Sequence, residues 1–427
     1  MNLKSILKNK IFSNASWLIL GKIFQMLLNL IVGILTARYL GPSNYGLINY
    51  ANSYIAFFAS ICNLGINSII VKEFVDNRNE NGEILGTSIV LKIISSFLSA
   101  ITIICLAYAL NDNDMTITLI VMLCCIGMLF QVFETLNYWF QSKLNSKVTA
   151  IATLISYFIT SLYKIFLLIT QKPILYFAFS TSIDYICLAI LLFIFYFANH
   201  GQRLSFSIQT AKRILSQSWH FIVPGLMVAV YSQTDKIMLK HIIGATETGY
   251  YSTAVSLCNI WCFILIAIID SMSPVIMKLF NDDYEKYKKM NRLLYSIVFY
   301  ISIIVSLIFL VFGDFIVNIL YGKEYLPAVI PLKILTWYSA FSYLGVARNI
   351  WIVCEKKQKY LLLVYIVSAF LNIILNIILI PILHASGAAI ASLLAQILTT
   401  IIVPFFIKDI KNNSILMIEG ILLRNIK

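Results

Sequence analysis

Twelve stretches of this 427-residue chain are long and apolar enough to cross a lipid bilayer, near 13–37, 46–70, 84–109, 115–139, 148–170, 173–199, 218–240, 249–276, 293–313, 327–352, 361–383 and 387–407. About 20 apolar residues in a helix cover the roughly 30 Å of hydrocarbon. Inside lipid, only helices or closed barrels satisfy every backbone N–H and C=O, and runs of this length predict helices. The expected fold class is an all-α integral membrane protein with about 12 transmembrane helices. Charged residues make up only 12% of the chain, against about a quarter in soluble domains, so almost nothing is left for a soluble domain. The first run is too long for a removable signal peptide and lacks its small-residue cleavage site, and is expected to stay as a helix.

A duplication organises these runs. Gly41-Pro42-Ser43-Asn44-Tyr45-Gly46 and its continuation through Ala51 and Ser53 echo Gly244-Ala245-Thr246-Glu247-Thr248-Gly249 and its continuation through Ala254 and Ser256. A second echo pairs Lys72-Glu73-Phe74-Val75-Asp76 with Lys278-Leu279-Phe280-Asn281-Asp282. The offset moves from 203 (41 to 244) to 206 (72 to 278), which requires a small insertion in the second copy. Six spans per half is an even number, so the halves share one orientation and form a parallel repeat, an architecture of transporters. The expected domains are an N-terminal six-helix bundle (1–199), a cytoplasmic linker (200–217), a C-terminal six-helix bundle (218–407) and a cytoplasmic tail (408–427).

Basic residues set the orientation, because short cytoplasmic loops hold the excess of Lys and Arg. With the N-terminus inside, 22 Lys and Arg fall on cytoplasmic segments and four (Arg38, Lys172, Lys240, Lys323) on outer ones. Both termini of a multi-pass membrane protein are therefore expected in the cytoplasm. The net charge of +13 reflects topology and attraction to anionic membrane lipids, and a nucleic-acid partner is not needed to explain it. The eight cysteines lie within or at the ends of apolar runs and the four histidines are scattered. No disulfide framework, metal site or cofactor is expected.

Polar residues recur at helical spacing inside several spans, which implies a face turned to protein or water. These stripes are Lys22, Gln25, Asn29 and Thr36 in the first span; Asn49, Asn52, Ser60, Asn63 and Asn67 in the second; Ser88, Lys92, Ser95 and Ser99 in the third; and Thr149, Thr153, Ser156, Thr160 and Lys164 in the fifth. The eighth has Ser252, Ser256, Asn259 and Asp270, the eleventh Ser368, Asn372 and Asn376, and the twelfth Ser392, Gln396 and Thr399. A charge at mid-helix costs roughly 2.5–3.5 kcal/mol on insertion scales. Lys22, Lys92, Lys164 and Lys236 should therefore face a shared wet space, with Asn29 and Asn63 among its polar groups, while Lys333 and Arg348 lie near helix ends and can snorkel. The N-terminal interior is expected to be cationic and to suit an anionic substrate. Asp235 and Asp184 are candidates for H+ or Na+ coupling by their depth. Pro224-Gly225 predicts a kink in the seventh span.

Two segments resemble the motifs of a known family. The segment Ala37-Arg38-Tyr39-Leu40-Gly41-Pro42-Ser43-Asn44-Tyr45-Gly46 resembles the R-x-L-G-P-x-x-Y-G pattern of bacterial polysaccharide-biosynthesis flippases. Asp235-Lys236-Ile237-Met238-Leu239, leading to Gly249-Tyr250-Tyr251-Ser252-Thr253-Ala254, is similar to their D-x-x-x-L…G-x-Y-x-x-A pattern. The resemblance implies the fold of the multidrug/oligosaccharidyl-lipid/polysaccharide exporter superfamily, two six-helix bundles around a cavity. The implied activity is to carry a polyprenyl-diphosphate-linked oligosaccharide, the repeat unit of O-antigen or capsule, from the inner to the outer leaflet by alternating access. Polysaccharide polymerase or assembly proteins would then be partners. Arg38, Gly41, Pro42, Gly46, Asp235 and Gly249 match the motifs, with structural or gating roles implied.

The nearest rival is an organic-cation or multidrug antiporter of the same superfamily, whose site should carry carboxylates and aromatic rings. A lipid II flippase is a second rival, from a branch with two more spans. A membrane polymerase or glycosyltransferase needs a large outer loop with catalytic acids, whereas the longest expected outer loop, 313–326, carries only Asp314 and Glu324. The chain is therefore not expected to be an enzyme.

Overall fold

The computed structural model describes the backbone of residues 10–424 and the side chains of residue 21 and residues 24–424; the side chain of Lys22 lies outside the described residues. In chain order the helices are α1 (Lys10–Cys62), α2 (Ile70–Asp76), α3 (Asn81–Leu110), α4 (Met115–Gln131), α5 (Thr135–Ser142), α6 (Ser146–Ile169) and α7 (Ile174–Ala198). They continue as α8 (Ile208–Ser218), α9 (Ile222–Ile242), α10 (Ala245–Asp282), α11 (Tyr284–Tyr321), α12 (Val329–Cys354), α13 (Lys359–Ile397), α14 (Val403–Phe406) and α15 (Lys411–Ile421).

Among the described residues, ten helical segments are long and apolar enough to cross a membrane. Two of them are double. The segment Phe24–Cys62 breaks at Gly41 (φ 71°, ψ 169°) and Lys359–Phe406 breaks at His384 (φ 54°, ψ −132°). Eight single and two broken segments account for the twelve apolar runs. Gly41 is required at its break because a side chain is strained at that φ, and Pro42 then starts the next helix at a position where its missing N–H costs nothing.

The chain forms two compact units. The first comprises residues 1–40 and 50–229, the second residues 41–49 and 230–427. In the first unit α4 packs along α7, and a core of Phe74, Leu85, Trp139, Phe140, Tyr196 and Ile214 ties the short helices α2, α5 and α8 to α3 and α7. The connection 201–207 lies against this unit: Gly82 N–H donates to Gln202 Oε1 (2.7 Å), and a Cβ at Gly82 or Gly86 would stand 2.3 or 2.4 Å from the carbonyl oxygens of Arg203 and Ser205. In the second unit α12 packs on α10, α11 and α13 around Trp261, Leu294, Tyr295, Leu344 and Trp351. Its last helix is part of that core. Leu416 and Met417 are buried, Arg292 Nε pairs with Glu419 at 2.6 Å, and Ser296 donates to the Gly420 carbonyl at 2.6 Å.

Three expectations change. Pro224 lies in the first turn of α9, directly after the 3₁₀ turn Trp219–Phe221, rather than in mid-helix, so its missing N–H opens no gap inside α9. Gly225 instead gives close packing, since a Cβ would come within 2.8 Å of Ser60 Oγ. Helix α11 runs on to Tyr321, so the expected 313–326 loop is mostly helical. Arg348 does not snorkel. It is 3% exposed and donates to the Thr399 carbonyl (3.0 Å), beside the π-helical turn Leu398–Ile402.

Candidate functional site

The polar stripe of α6 faces two cavities of the first unit in succession. Thr149 and Thr153, with Gln25, Asn137 and Gln141, line a space of about 300 Å³. One to three turns further on, Tyr157, Thr160 and Lys164 line a second space of about 430 Å³. Opposite them stand Asn52 and Ala56 from α1, Gln131 from α4, and Asp184 and Tyr185 from α7. Ser156 locks the Asp184 carboxylate by donating to its Oδ1 at 2.7 Å. The larger cavity holds one lysine and one aspartate among amides, hydroxyls and two tyrosine rings. It is charge-balanced, not uniformly cationic.

Lys92 lies apart from this lining. It is 2% exposed, and its ammonium donates to Asn67 Oδ1 (2.5 Å) and Thr135 Oγ1 (2.9 Å). Depth in the sequence does not reveal which face of α3 a residue occupies, and here the neighbours absorb the charge. Asn29 is exposed on α1, and Asn63 is partly buried, donating to the Ala59 carbonyl one turn back. Arg38 is exposed. Tyr157 continues the fifth-span stripe at helical spacing from Thr153 and Thr160, so periodicity marked it. Gln131 and Tyr185 carried no such mark in a chain with 24 tyrosines.

The second unit concentrates its polarity around Asp235 on α9. The side chain is 3% exposed. Oδ1 accepts from Asn376 Nδ2 (2.6 Å) and Asn372 Nδ2 (3.1 Å), both on α13, and Oδ2 accepts from Tyr251 Oη and Ser392 Oγ, each at 2.5 Å. All four donors are neutral. The stripes of the eleventh and twelfth spans thus converge on one carboxylate, while the adjacent Lys236 is only half-buried.

The duplicated loops also meet within this unit. A Cβ at Gly46 would lie 1.9 Å from the Ala245 carbonyl oxygen and 2.8 Å from Gly249 N, and one at Gly249 would lie 2.0 Å from the Pro42 carbonyl oxygen. In each copy the first glycine takes a positive φ (71° at Gly41, 137° at Gly244) and the second permits backbone contact. Glu247, inside the second copy, accepts the Ala385 N–H (3.0 Å) and so satisfies the start of the helix that follows the His384 break. Downstream the copies diverge. The first breaks at Leu64 and Gly65 before α2, whereas the second continues as one helix through α10 to Asp282.

Comparison with known proteins agrees with this architecture. The family model "Polysaccharide biosynthesis protein" matches residues 11–280. Over 93% of its length the chain is 23% identical to the capsular polysaccharide biosynthesis protein CapF of Staphylococcus aureus, covering 99% of that protein. Its fold is similar to that of a multidrug resistance MATE family transporter of the MOP superfamily in an inward-facing conformation (TM-score 0.72, 14% identity, 92% of this chain and 95% of the other). It is also similar to that of the lipid II flippase MurJ in an inward closed conformation (TM-score 0.67, 19% identity, 95% and 91%). With its family model matched over more than half of its length and its spans and breaks in place, the chain belongs to the polysaccharide biosynthesis protein family and has a multi-pass membrane fold like that of the MATE and MurJ structures.

Proposed function

We propose that the protein moves polyprenyl-diphosphate-linked oligosaccharide repeat units from the cytoplasmic to the outer leaflet by alternating access, for capsule or O-antigen assembly. The observation that carries this reading is the 430 Å³ cavity of the first unit. Its amides and hydroxyls offer the donors and acceptors that sugars require, two tyrosine rings offer apolar faces, and Lys164 supplies a cation for phosphate. Lys92, enclosed by Asn67 and Thr135, has at most an indirect part in this reading, whereas half-buried Lys236 remains a candidate cation for the substrate. Asp235 is the candidate for H+ or Na+ coupling, and Asp184 is the second. The family supports a location in the bacterial inner membrane, the charge count supports termini in the cytoplasm, and a polysaccharide polymerase is the expected functional partner.

One feature favours a second reading. Asp184 beside Tyr157 and Tyr185 is the carboxylate-and-aromatic lining that suits an organic cation. Two substitutions separate the readings in a strain whose surface polysaccharide depends on this gene. For an anionic substrate, Lys164→Ala should lower export about tenfold, the loss of about 1.4 kcal/mol of binding, and lipid-linked repeat units should accumulate on the cytoplasmic leaflet. Asp184→Asn should then leave resistance to organic cations unchanged, whatever it does to export as the second coupling candidate. Normal export in Lys164→Ala together with loss of resistance to organic cations in Asp184→Asn would establish the antiporter instead.

A further inference from the structure

A separate cavity of about 460 Å³ lies in the first unit where α2, α3 and α5 end together, away from the Lys164 and Asp184 lining. Arg78 and Lys143 both line it, and none of its lining residues is acidic. Of the acids nearby in the sequence, Glu73 and Glu80 pair with Arg213 at 3.3 Å and 3.0 Å, and Asp76 is exposed and outside the lining. Both cations are exposed and make no ion pair within 4 Å among the described residues, so an anion in the cavity can pair with both.

Two further groups define what kind of anion fits. Trp139 is 1% exposed, and its indole Nε1–H is buried without a hydrogen-bond partner, while the Lys143 ammonium sits 3.8 Å from the ring centroid. Asn81, the first residue of the 30-residue helix α3, is also buried, and its Oδ1 has no donor. A buried polar atom left unpaired costs about 1–3 kcal/mol, so both atoms gain from a partner in the cavity that their residues line. The positive end of the α3 dipole adds to the field. A phosphate oxygen satisfies the indole N–H but offers nothing to Asn81, which needs a donor such as a hydroxyl. At the rim, Val75 and Leu144 are 43% and 46% exposed, an apolar edge beside a charged hole.

We propose that this cavity holds the headgroup of a hydroxylated anionic phospholipid such as phosphatidylglycerol. The phosphate meets Arg78, Lys143 and Trp139 Nε1, a headgroup hydroxyl donates to Asn81 Oδ1, and the first acyl carbons lie against Val75 and Leu144. The site stands apart from the transport cavity and does not depend on the proposed substrate. Burial pushes the Lys143 ammonium below the ordinary lysine pKa, and a bound phosphate opposes that shift by favouring the charged form.

The test is native mass spectrometry of the full-length protein titrated with phosphatidylglycerol or phosphatidylcholine. Wild type should retain one phosphatidylglycerol tightly, and the doubly substituted Arg78→Ala, Lys143→Ala protein should bind that lipid at least about tenfold more weakly. Trp139→Phe, which removes the N–H and leaves a smaller aromatic ring beneath Lys143, should weaken it about threefold or more. Lys72→Ala, on an exposed basic residue outside the lining, should change nothing. Melting temperatures equal to wild type identify the variants that count, and Arg78→Ala alone, at an exposed position, serves if the double variant does not fold. Equal retention of phosphatidylcholine, wild-type binding in folded variants, or an equal loss in Lys72→Ala overturns the proposal. Displacement of the lipid by millimolar glycerol 3-phosphate overturns it too, in favour of a soluble phosphate ester as the ligand.

Discussion

Asp235→Ala should destabilise the second unit by about 3 kcal/mol, because it leaves buried donors without their acceptor. The four donors will not suffer equally. Asn372 Nδ2 also reaches Ser392 Oγ (3.1 Å) and Asn376 Nδ2 also reaches Asn372 Oδ1 (3.0 Å), so the asparagines keep a partner. The hydroxyls of Tyr251 and Ser392 lose the oxygen they point to. Asp235→Asn behaves differently. A hydroxyl accepts as readily as it donates, so Tyr251 and Ser392 can turn to receive an amide N–H while the remaining carbonyl keeps the two asparagines. This variant should therefore fold with a stability close to wild type while losing only the negative charge. If Asp235 couples transport to H+ or Na+, export in Asp235→Asn should fall at least tenfold, about 1.4 kcal/mol, and what remains should no longer respond to the ion gradient. Thermal melting of the purified variants and export across a range of external pH and sodium separate the two effects. Export and gradient dependence unchanged in Asp235→Asn would remove this residue from the coupling proposal.

The contrast between Asp235 and Lys92 shows what a sequence of this kind discloses. Both are charges at depth inside apolar runs, and both therefore read as functional. Whether such a charge is exposed to a cavity or enclosed by partners depends on residues far away in the chain: Asn372, Asn376 and Ser392 for the aspartate, Asn67 and Thr135 for the lysine. No local pattern encodes those distances. Helical periodicity does encode which face of one helix is polar, and for α6 it led from Thr149 to Lys164 along the residues that line the two cavities. Span count was legible for the same reason, since hydrocarbon thickness fixes helix length. The place where a helix starts was not. Pro224 looked like a kink because its run begins at 218, whereas Trp219–Phe221 forms a 3₁₀ turn and α9 begins only at Ile222.

The glycine contact between the duplicated loops predicts the other large effect. Gly46→Ala or Gly249→Ala places a Cβ 1.9–2.0 Å from a carbonyl oxygen, against a floor of 3.0 Å for real Cβ contacts, so the backbones must part by about 1 Å. The obstacle in both cases is main chain, which cannot turn aside as a flexible side chain would. Each substitution should therefore cost about 3 kcal/mol, the upper part of the overpacking range, seen as loss of folded protein in detergent. Gly33→Ala is the control, because its Cβ would meet nothing closer than Asn29 Oδ1 at 3.9 Å and would raise helix propensity. The double variant carries the more specific expectation. Once one Cβ has separated the loops, the second finds the space already opened, so the combined cost should fall short of the sum by about 1–3 kcal/mol. Full additivity would mean that the two glycines act at independent places, and near-neutral single variants would mean that the loops do not touch. Coupling between them would tie the most visible repeat in the sequence to a physical cause: in each copy one glycine breaks the helix, and the other lets the two copies meet.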